Sequence, residues 1–406
     1  MMPIEKKETY KTVAFFVFAF VVFTGGYLAV KNMLHLADEY CHHMQIMEIL
    51  EGKNFFPSRC PYLPGYHWST AILSWLIRSD HGDSIRFLST ALSFLCVLAF
   101  FMLAKKIDAR SSIQKSLLFL LSPVFFPFFF VIYTDIYAMF YVFLALGAAL
   151  NQRLWLSGIF GILSLMVRQN NIIWLAFIGW LAYFQNYYPQ YRWQDIKRWM
   201  PKFFFFFLAA ALMIAFVIWN KGFILGDRKY HYVTFNGGNI FLALFIFFFL
   251  FLPLNLSNFF KIISHLKRSI MLWLILIEIT MIYFFFFQST HYYNGFARFL
   301  HNWFIFWMTS PSILVKAAAF IPIVYSVLSL CVTPLQRKSY YLLYPFSILF
   351  LLPLPVIEIR YLFIPLAFFI LFKQKDPENI TLFTLATYIV PNICVIYLIL
   401  HGTFFP

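Results

Sequence analysis

Long apolar stretches alternate with short polar segments along almost the whole chain. A membrane-spanning helix needs about 20 predominantly apolar residues, and this alternation predicts about thirteen spans. They lie at 10–30, 85–104, 115–132, 137–151, 154–167, 171–186, 203–221, 239–253, 271–288, 312–332, 339–353, 361–373 and 380–400. The pattern predicts one all-α integral membrane domain over 1–406, with a terminal segment at 1–9, a long loop at 31–84 and the remaining bundle at 85–400.

The composition excludes most other classes of protein. Hydrophobic residues make up 62% of the 406 residues, and charged residues only 12%. Soluble domains have roughly 45–50% apolar and roughly 25% charged residues. A soluble enzyme, a nucleic-acid-binding protein and a disordered chain are therefore excluded, even though the net charge is +15.

The loop at 31–84 contains helical signals of its own. Apolar residues alternate with Gln45 and Glu48 between positions 44 and 51, which favours an amphipathic helix at the membrane surface. Two prolines and a glycine in the segment CPYLPGYHW at 60–68 predict a rigid turn. A second short apolar helix is expected at about 69–78. The first loop is therefore expected to carry amphipathic helices.

Five cysteines in a chain of this length do not form a disulfide framework. Cys96, Cys331 and Cys394 lie in apolar runs and are expected to be packing residues. Cys41 and Cys60 share the loop at 31–84, and whether they pair is left open.

Basic residues set the expected orientation, because Lys and Arg accumulate in cytosolic loops. A cytosolic N-terminus places most of the 31 basic residues on the cytosolic side. The unusual polar clusters then all fall on the luminal or outer side, which predicts a single polar cavity there. These clusters are Asp38 and Glu39; Tyr133, Thr134 and Asp135; Arg168 to Asn171; Gly226 to Arg228 with His231; His291 to His301; and Glu358 with Arg360.

Asp38 and Glu39 lie at the end of the first span, where carboxylates are costly and usually functional. On a helix, adjacent side chains point about 100° apart, so these two cannot form a facing pair. One can act as a general base while the other accepts a structural hydrogen bond. The alternative is that Asp38 caps the helix that follows. The residues alone leave both interpretations open.

The arginines and histidines of the outer side also have two interpretations each. Arg168 and Arg360 could bind a phosphate through two parallel hydrogen bonds, or could simply reach the lipid headgroups. No HxxxH or CxxC pattern accompanies the histidines, so no metal is expected. No Gly-rich nucleotide-binding loop is present in the sequence either. If a sugar is transferred, its donor is expected to be a lipid phosphate.

Five short motifs occur in order along the chain. They are Asp38-Glu39-x-x-His42 with Gln45 and Glu51-Gly52; Leu63-Pro64-Gly65-Tyr66; Arg168-Gln169-x-Asn171-Ile172-Ile173-Trp174; Gly226-Asp227-Arg228-x-x-His231; and Glu358-Ile359-Arg360-Tyr361. Together they resemble the endoplasmic-reticulum glucosyltransferases that add the last, α-1,2-linked glucose to the dolichol-linked oligosaccharide of protein N-glycosylation. The resemblance runs over nearly the whole chain and implies a GT-C-type polytopic bundle.

The resemblance also implies roles for particular residues in an inverting hexosyl transfer from dolichyl-phosphate glucose, without a cofactor. Asp38 is the first choice for the base and Glu39 the second. The leaving phosphate would be bound near Arg298, Glu358 and Arg360. Substrate contacts are expected from His42, Gln45, Asp135, Arg168, Gln169, Asn171, Asp227, Arg228, His231 and His301.

One departure from the family bears on the substrate. Where the family has Asp-Asn-Arg-His-Tyr in a late outer loop, this chain has Arg298-Phe299-Leu300-His301-Asn302, and only the histidine keeps its place. Transfer of another sugar, or transfer to another acceptor, is therefore the second hypothesis. A lipid or anion transporter is the third, although no half-length repeat supports it. The expected location is the endoplasmic reticulum membrane in a eukaryote and the plasma membrane in a prokaryote.

Overall fold

A computed structural model describes residues 4–53, 63–78, 82–187, 193–225, 230, 232–235 and 237–405. Within these ranges the regular structure is helical, with two isolated β-bridges and no strand. The all-α fold class predicted from the sequence is confirmed. The chain divides into two compact units, one made of 1–120 with 125–228 and the other of 121–124 with 229–406.

In its described residues the first unit contains ten α-helices, α1 to α10. In chain order they are Ile4–Val30, Asp38–Leu50, Gly65–Leu76, Gly82–Ile107, Ser112–Leu121, Thr134–Leu150, Leu154–Val167, Ile172–Asn186, Trp193–Trp199 and Phe204–Asn220. Helix α1 illustrates how they pack. Its buried residues Phe15, Ala19 and Phe23 recur every four positions and so share one face, while Val17 and Phe20 remain exposed. Such a helix has one face for the bundle and another for lipid.

The described part of the second unit contains nine α-helices, α11 to α19. They are Gly238–Leu250, Leu252–Ser257, Phe259–Leu266, Ile270–Met281, Leu300–Met308, Ile313–Val332, Leu343–Leu351, Phe363–Phe372 and Glu378–Leu400. A π-helical turn at Ile282–Phe286 extends α14, and a 3-10 turn at Ile359–Leu362 precedes α18. Helix α18 is buried along its whole length, which explains why its sequence is almost purely apolar.

Five helices in the described ranges are long and apolar enough to cross a membrane, or six if a bent pair counts as one span. The five are Glu8–Val30, Ser84–Ile107, Ile196–Asn220, Ile313–Val332 and Glu378–Leu400. The bent pair is α13 with α14, at an angle of 103°. Four further apolar helices have only 10–17 residues, so the number of about thirteen crossings stays a prediction.

One predicted span differs clearly from the structure. The apolar run at 115–132 was expected to form a single helix, but α5 ends at Leu121 and a short 3-10 turn follows at Phe126–Phe129. Pro123 explains the break, because a proline disfavours helical conformation in the residue before it. Pro127 lies in the turn itself. The chain after α5 therefore runs through this turn and irregular backbone to Tyr133, and α6 begins at Thr134.

The predicted outer loop contains the two helices expected there. Helix α2 occupies 38–50, close to the amphipathic segment predicted from the sequence. Helix α3 begins at Gly65, a few residues before the predicted start at 69. Neither helix is among the five long apolar ones. Cys41 on α2 is disulfide-bonded, whereas Cys60 lies outside the described residues.

Candidate active site

Glu39 is a fully buried carboxylate at the start of α2, with 0% exposure. Its Oε1 accepts hydrogen bonds from Arg86 Nε at 3.0 Å and from the backbone N–H of Ile132 at 2.9 Å. Its Oε2 accepts from Arg86 Nη2 at 3.0 Å and from the N–H of Leu36 at 2.9 Å. Both oxygens are thus engaged by protein groups, as a structural carboxylate requires.

Arg86 lies in the first part of α4 and is only 2% exposed. Beyond its two bonds to Glu39, its Nη1 donates to the carbonyl oxygens of Val30 at 2.8 Å, Met33 at 2.9 Å and Lys31 at 3.3 Å. Val30 is the last residue of α1, where carbonyls have no partner within the helix. One guanidinium therefore satisfies the end of α1 and the carboxylate at the start of α2. Arg86 was not predicted from the sequence, where its only signal is a basic side chain inside a predicted span.

Asp38 is the first residue of α2, and its side chain is half-buried. The residue in the N-cap position is Ala37, which has φ +43° and makes no side-chain capping bond. Asp38 is therefore not the N-cap, although it lies in the first turn, where the helix dipole favours negative charge. The two adjacent carboxylates differ in exposure: Glu39 is fully buried and Asp38 is partly exposed. This difference favours Asp38 over Glu39 as a base.

The buried face of α2 continues with polar side chains. His42 and Gln45 follow Glu39 at intervals of three and are also buried. His42 Nδ1 lies 3.0 Å from Nε2 of His67 on α3, and both imidazoles are fully buried. The ring of His42 meets those of Tyr66 and Tyr133 edge to face. The two loop helices thus share a buried polar pair surrounded by aromatic rings.

Burial lowers the pKa of His67 well below its ordinary value, and the neighbouring His42 lowers it further. Below about pH 6.5 the unfolded chain binds a proton at this position that the folded protein does not, so folded stability falls as the pH drops. We expect a lower thermal midpoint at pH 5 than at pH 7.5 in detergent, and a weaker dependence in His67→Asn. His401→Asn, at an exposed histidine, is the control. An unchanged pH dependence in His67→Asn would contradict the assignment.

Gly65 begins α3 at a place where no side chain fits. A Cβ atom at this position would lie 2.6 Å from the backbone oxygen of Met166 near the end of α7. The backbone cannot retreat like a flexible side chain, so the helices must separate. We expect Gly65→Ala to destabilise the protein by about 1–3 kcal/mol, measured as a lower midpoint of thermal unfolding. Gly25→Ala meets nothing within 4 Å and should leave the midpoint nearly unchanged. Equal midpoints for both variants would rule out the close approach.

Asp135 and Arg168 form a buried ion pair, with Arg168 Nη2 2.8 Å from Asp135 Oδ2. Arg168 Nε also donates to the hydroxyl of Thr134 at 3.1 Å. The pair joins the start of α6 to the end of α7. The structure thus brings together two residues that were predicted separately as substrate contacts, and it shows each as a partner of the other.

Gln169 and Asn171 lie in the 3-10 turn between α7 and α8, and both are buried. Asn171 donates to the hydroxyl of Ser164 at 2.7 Å. Since Ile132 binds Glu39 and Tyr133 meets His42, the segment before Asp135 links this group to α2. The segment 132–135 therefore connects the hydrogen bonds of Glu39 on α2 with the Asp135–Arg168 ion pair.

The second unit has a polar cluster of its own. Arg360 Nη2 donates to Glu358 Oε2 at 2.8 Å, and Nδ1 of His301 lies 3.9 Å from Glu358 Oε1. Glu358 and His301 are buried, whereas the side chain of Arg298 is exposed. Of the four predicted residues of this unit that the structure describes, His301, Glu358 and Arg360 lie together, and Arg298 has an exposed side chain.

Two asparagines that the sequence analysis missed hold this cluster in place. Asn239 accepts from the N–H of Glu358 at 3.0 Å and donates to the carbonyl of Val356 at 2.8 Å. Asn294 accepts from the N–H of Ile357 at 3.0 Å. Both act on backbone more than sixty residues away, so no local pattern could have revealed them. They fix the backbone of residues 356–358, which carries Glu358.

Asp227, Arg228 and His231 were also predicted as substrate contacts, and they lie outside the described residues. Among the residues that the structure describes, no group of three or more His, Cys, Asp or Glu side chains could hold a metal ion. The arrangement offers instead one accessible carboxylate beside an enclosed one, and guanidinium groups next to carboxylates.

The class defined by these features is a polytopic helical membrane protein with polar clusters built on its loop helices and helix ends. The sequence model of the DIE2/ALG10 family matches residues 36–195 and 183–371. The chain belongs to this family, which confirms the resemblance carried by the motifs. No solved structure matches the chain.

Two curated relatives are similar to the chain, and both are named Dol-P-Glc:Glc(2)Man(9)GlcNAc(2)-PP-Dol alpha-1,2-glucosyltransferase. The protein of Debaryomyces hansenii is 32% identical over 129 residues, covering 27% of this chain and 27% of the relative. The protein of Candida albicans is 25% identical over 305 residues, covering 69% of this chain and 65% of the relative. The chain thus spans less than two thirds of the length of either relative in these matches.

Proposed function

We propose that this protein is an inverting α-1,2-glucosyltransferase that moves glucose from dolichyl phosphate to a dolichol-linked oligosaccharide. The observation that carries the proposal is the carboxylate pair of α2. Within the family-matched segment, Glu39 is fully buried, and Asp38 beside it is partly exposed. The activity named for the two relatives supplies the donor and the acceptor.

In the proposed reaction, Asp38 accepts the proton of the acceptor hydroxyl as the oxygen attacks the anomeric carbon of the sugar. The bond between that carbon and the phosphate oxygen breaks, and the electron pair leaves with the lipid phosphate. A single displacement inverts the anomeric centre, so a β-linked donor gives an α-linked product. His42, Gln45 and the polar groups between Asp135 and Asn171 would orient the sugars.

The leaving phosphate requires positive charge where its negative charge develops. Arg360 is the first candidate, because Glu358 and the two asparagines behind that segment fix its position. A guanidinium carries five N–H donors, so Arg360 can donate hydrogen bonds to Glu358 and to a phosphate at the same time. Arg298 is exposed and would approach the donor from solvent or from the headgroup region.

The proposed location is the endoplasmic reticulum membrane, with the polar clusters in the lumen. The arrangement of lysines and arginines supports this orientation, because the predicted cytosolic loops contain most of them. A lipid-phosphate sugar would then enter from the bilayer, and the oligosaccharide acceptor from the luminal side.

The test is a transfer assay with purified protein in nanodiscs. Dolichyl-phosphate glucose, dolichyl-phosphate mannose and UDP-glucose are each offered with a diglucosylated lipid-linked oligosaccharide, and the product is analysed by mass spectrometry and linkage-specific glucosidase digestion. We expect a single hexose to be added in α-1,2 linkage, from dolichyl-phosphate glucose alone. Transfer of mannose would establish the alternative sugar. Failure with every donor would favour a transporter. Transport would be detected by reconstituting the protein into vesicles of the same lipids and measuring lipid flipping.

A further inference from the structure

We propose that Arg86 is a positioning residue for the base, acting through Glu39; this inference rests on the proposed function of Asp38. The observation is the set of bonds that Arg86 and Glu39 make together. They connect the end of α1, the turn before α2, the first turn of α2, and the segment that leads into α6. Asp38 lies next to Glu39 in this framework.

The geometry restrains Asp38 on both sides in the chain. On its C-terminal side, four hydrogen bonds fix the carboxylate of Glu39. On its N-terminal side, the N–H of Leu36 is bound by the same carboxylate, and the carbonyl of Met33 by the same guanidinium. Ala37, which lies between Leu36 and Asp38, adopts φ +43°, a conformation that is rare for a residue with a Cβ atom. The backbone around Asp38 is thus held in a conformation that it would not adopt alone.

The same pair reaches a second predicted substrate contact. Ile132, whose N–H binds Glu39, stands three residues before Asp135, and Tyr133 begins the approach to α6. Arg86 therefore sets the position of the base relative to the Asp135–Arg168 pair. A displacement of the base by about 1 Å can lower the rate about 100-fold. Catalysis should therefore depend on this alignment.

A gain in stability does not by itself explain why Arg86 and Glu39 form a buried ion pair. Two charges removed from water lose much of their mutual attraction to desolvation, and apolar residues of similar size often replace a buried ion pair without loss of stability. Breaking the pair by one substitution is different, because an uncompensated charge remains buried. The double replacement Glu39→Met with Arg86→Met therefore separates positioning from stability.

The experiment compares Arg86→Met, Arg86→Lys and the double Met variant with wild type, using Arg78→Met as control. Arg78 is an exposed arginine at the end of α3. We expect the double variant to purify as a folded protein, with kcat about 100-fold lower and with KM for the lipid donor nearly unchanged. Arg86→Lys should have a kcat between those of Arg86→Met and wild type, because an ammonium group cannot reproduce the forked hydrogen bonds of the guanidinium. Arg78→Met should equal wild type.

Hydrogen–deuterium exchange gives a readout that needs no donor. We expect faster amide exchange at 36–40 and at 130–135 in the double variant, and no change there in Arg78→Met. A folded double variant with wild-type kcat would overturn the proposal. So would unchanged exchange in both segments, even if wild type proved inactive with every sugar donor. An inactive wild type with faster exchange in the variant would refute the proposed function, while the restraint that Arg86 places on the backbone around Asp38 would still stand.

Discussion

Asp38→Asn is expected to lower kcat by about 10²- to 10⁴-fold, the range that a positioned general base contributes. The amide has nearly the shape of the carboxylate but cannot accept the proton of the acceptor hydroxyl. Since Asp38 is half-buried and Glu39 supplies the bonds that hold the start of α2, the variant should express and fold like wild type. The measurement is the rate of glucose transfer at saturating donor and acceptor, per mole of monodisperse protein.

Glu48→Gln provides the matched control for that experiment. It makes the same carboxylate-to-amide change on the same helix, near its other end, and should retain wild-type transfer. Asp38→Asn with full activity would remove Asp38 from the mechanism. Because Glu39 is enclosed by Arg86 and two backbone N–H groups, it could not simply take over as the base. A fully active Asp38→Asn would therefore direct attention to a group outside α2.

The helices were largely predictable, because the apolar runs that form them are local features of the sequence. The predicted span at 239–253 corresponds to α11, and that at 380–400 to α19. The failure at 115–132 came from weighing apolar content above two prolines. Phe125, Phe128, Phe129 and Phe130 near these prolines stay buried outside any α-helix, because close packing can bury a 3-10 turn and irregular backbone as well as an α-helix.

The candidate site was predictable as a set of residues but not as a set of partners. Asp38 and Glu39 were recognised together, yet nothing local distinguished the enclosed carboxylate from the accessible one. The distinction depends on Arg86, 47 positions along the chain from Glu39. Asn239 acts over an even longer separation, on Glu358. Such pairings are set by tertiary packing, which a single sequence does not encode in any short pattern.

Arg168→Met is expected to destabilise the protein by about 3–5 kcal/mol, the usual cost of removing one partner of a buried ion pair. The carboxylate of Asp135 would remain buried near Thr134 without its guanidinium. Arg153→Met is the matched control, because Arg153 stands at the opposite end of α7 and is exposed. Its cost should stay within about 0.5 kcal/mol. Thermal and chemical unfolding in detergent measure both.

The double variant Asp135→Leu with Arg168→Met then separates structure from substrate binding. Removing both charges should restore most of the lost stability, because no unpaired charge remains. If the pair also contacts the sugar or the phosphate, the restored protein will stay deficient in transfer, with a raised KM for donor or acceptor. If the pair only joins α6 to α7, transfer will recover together with stability. An Arg168→Met protein as stable as wild type would instead show that Asp135 does not depend on Arg168, and the buried ion pair would lose its assigned role.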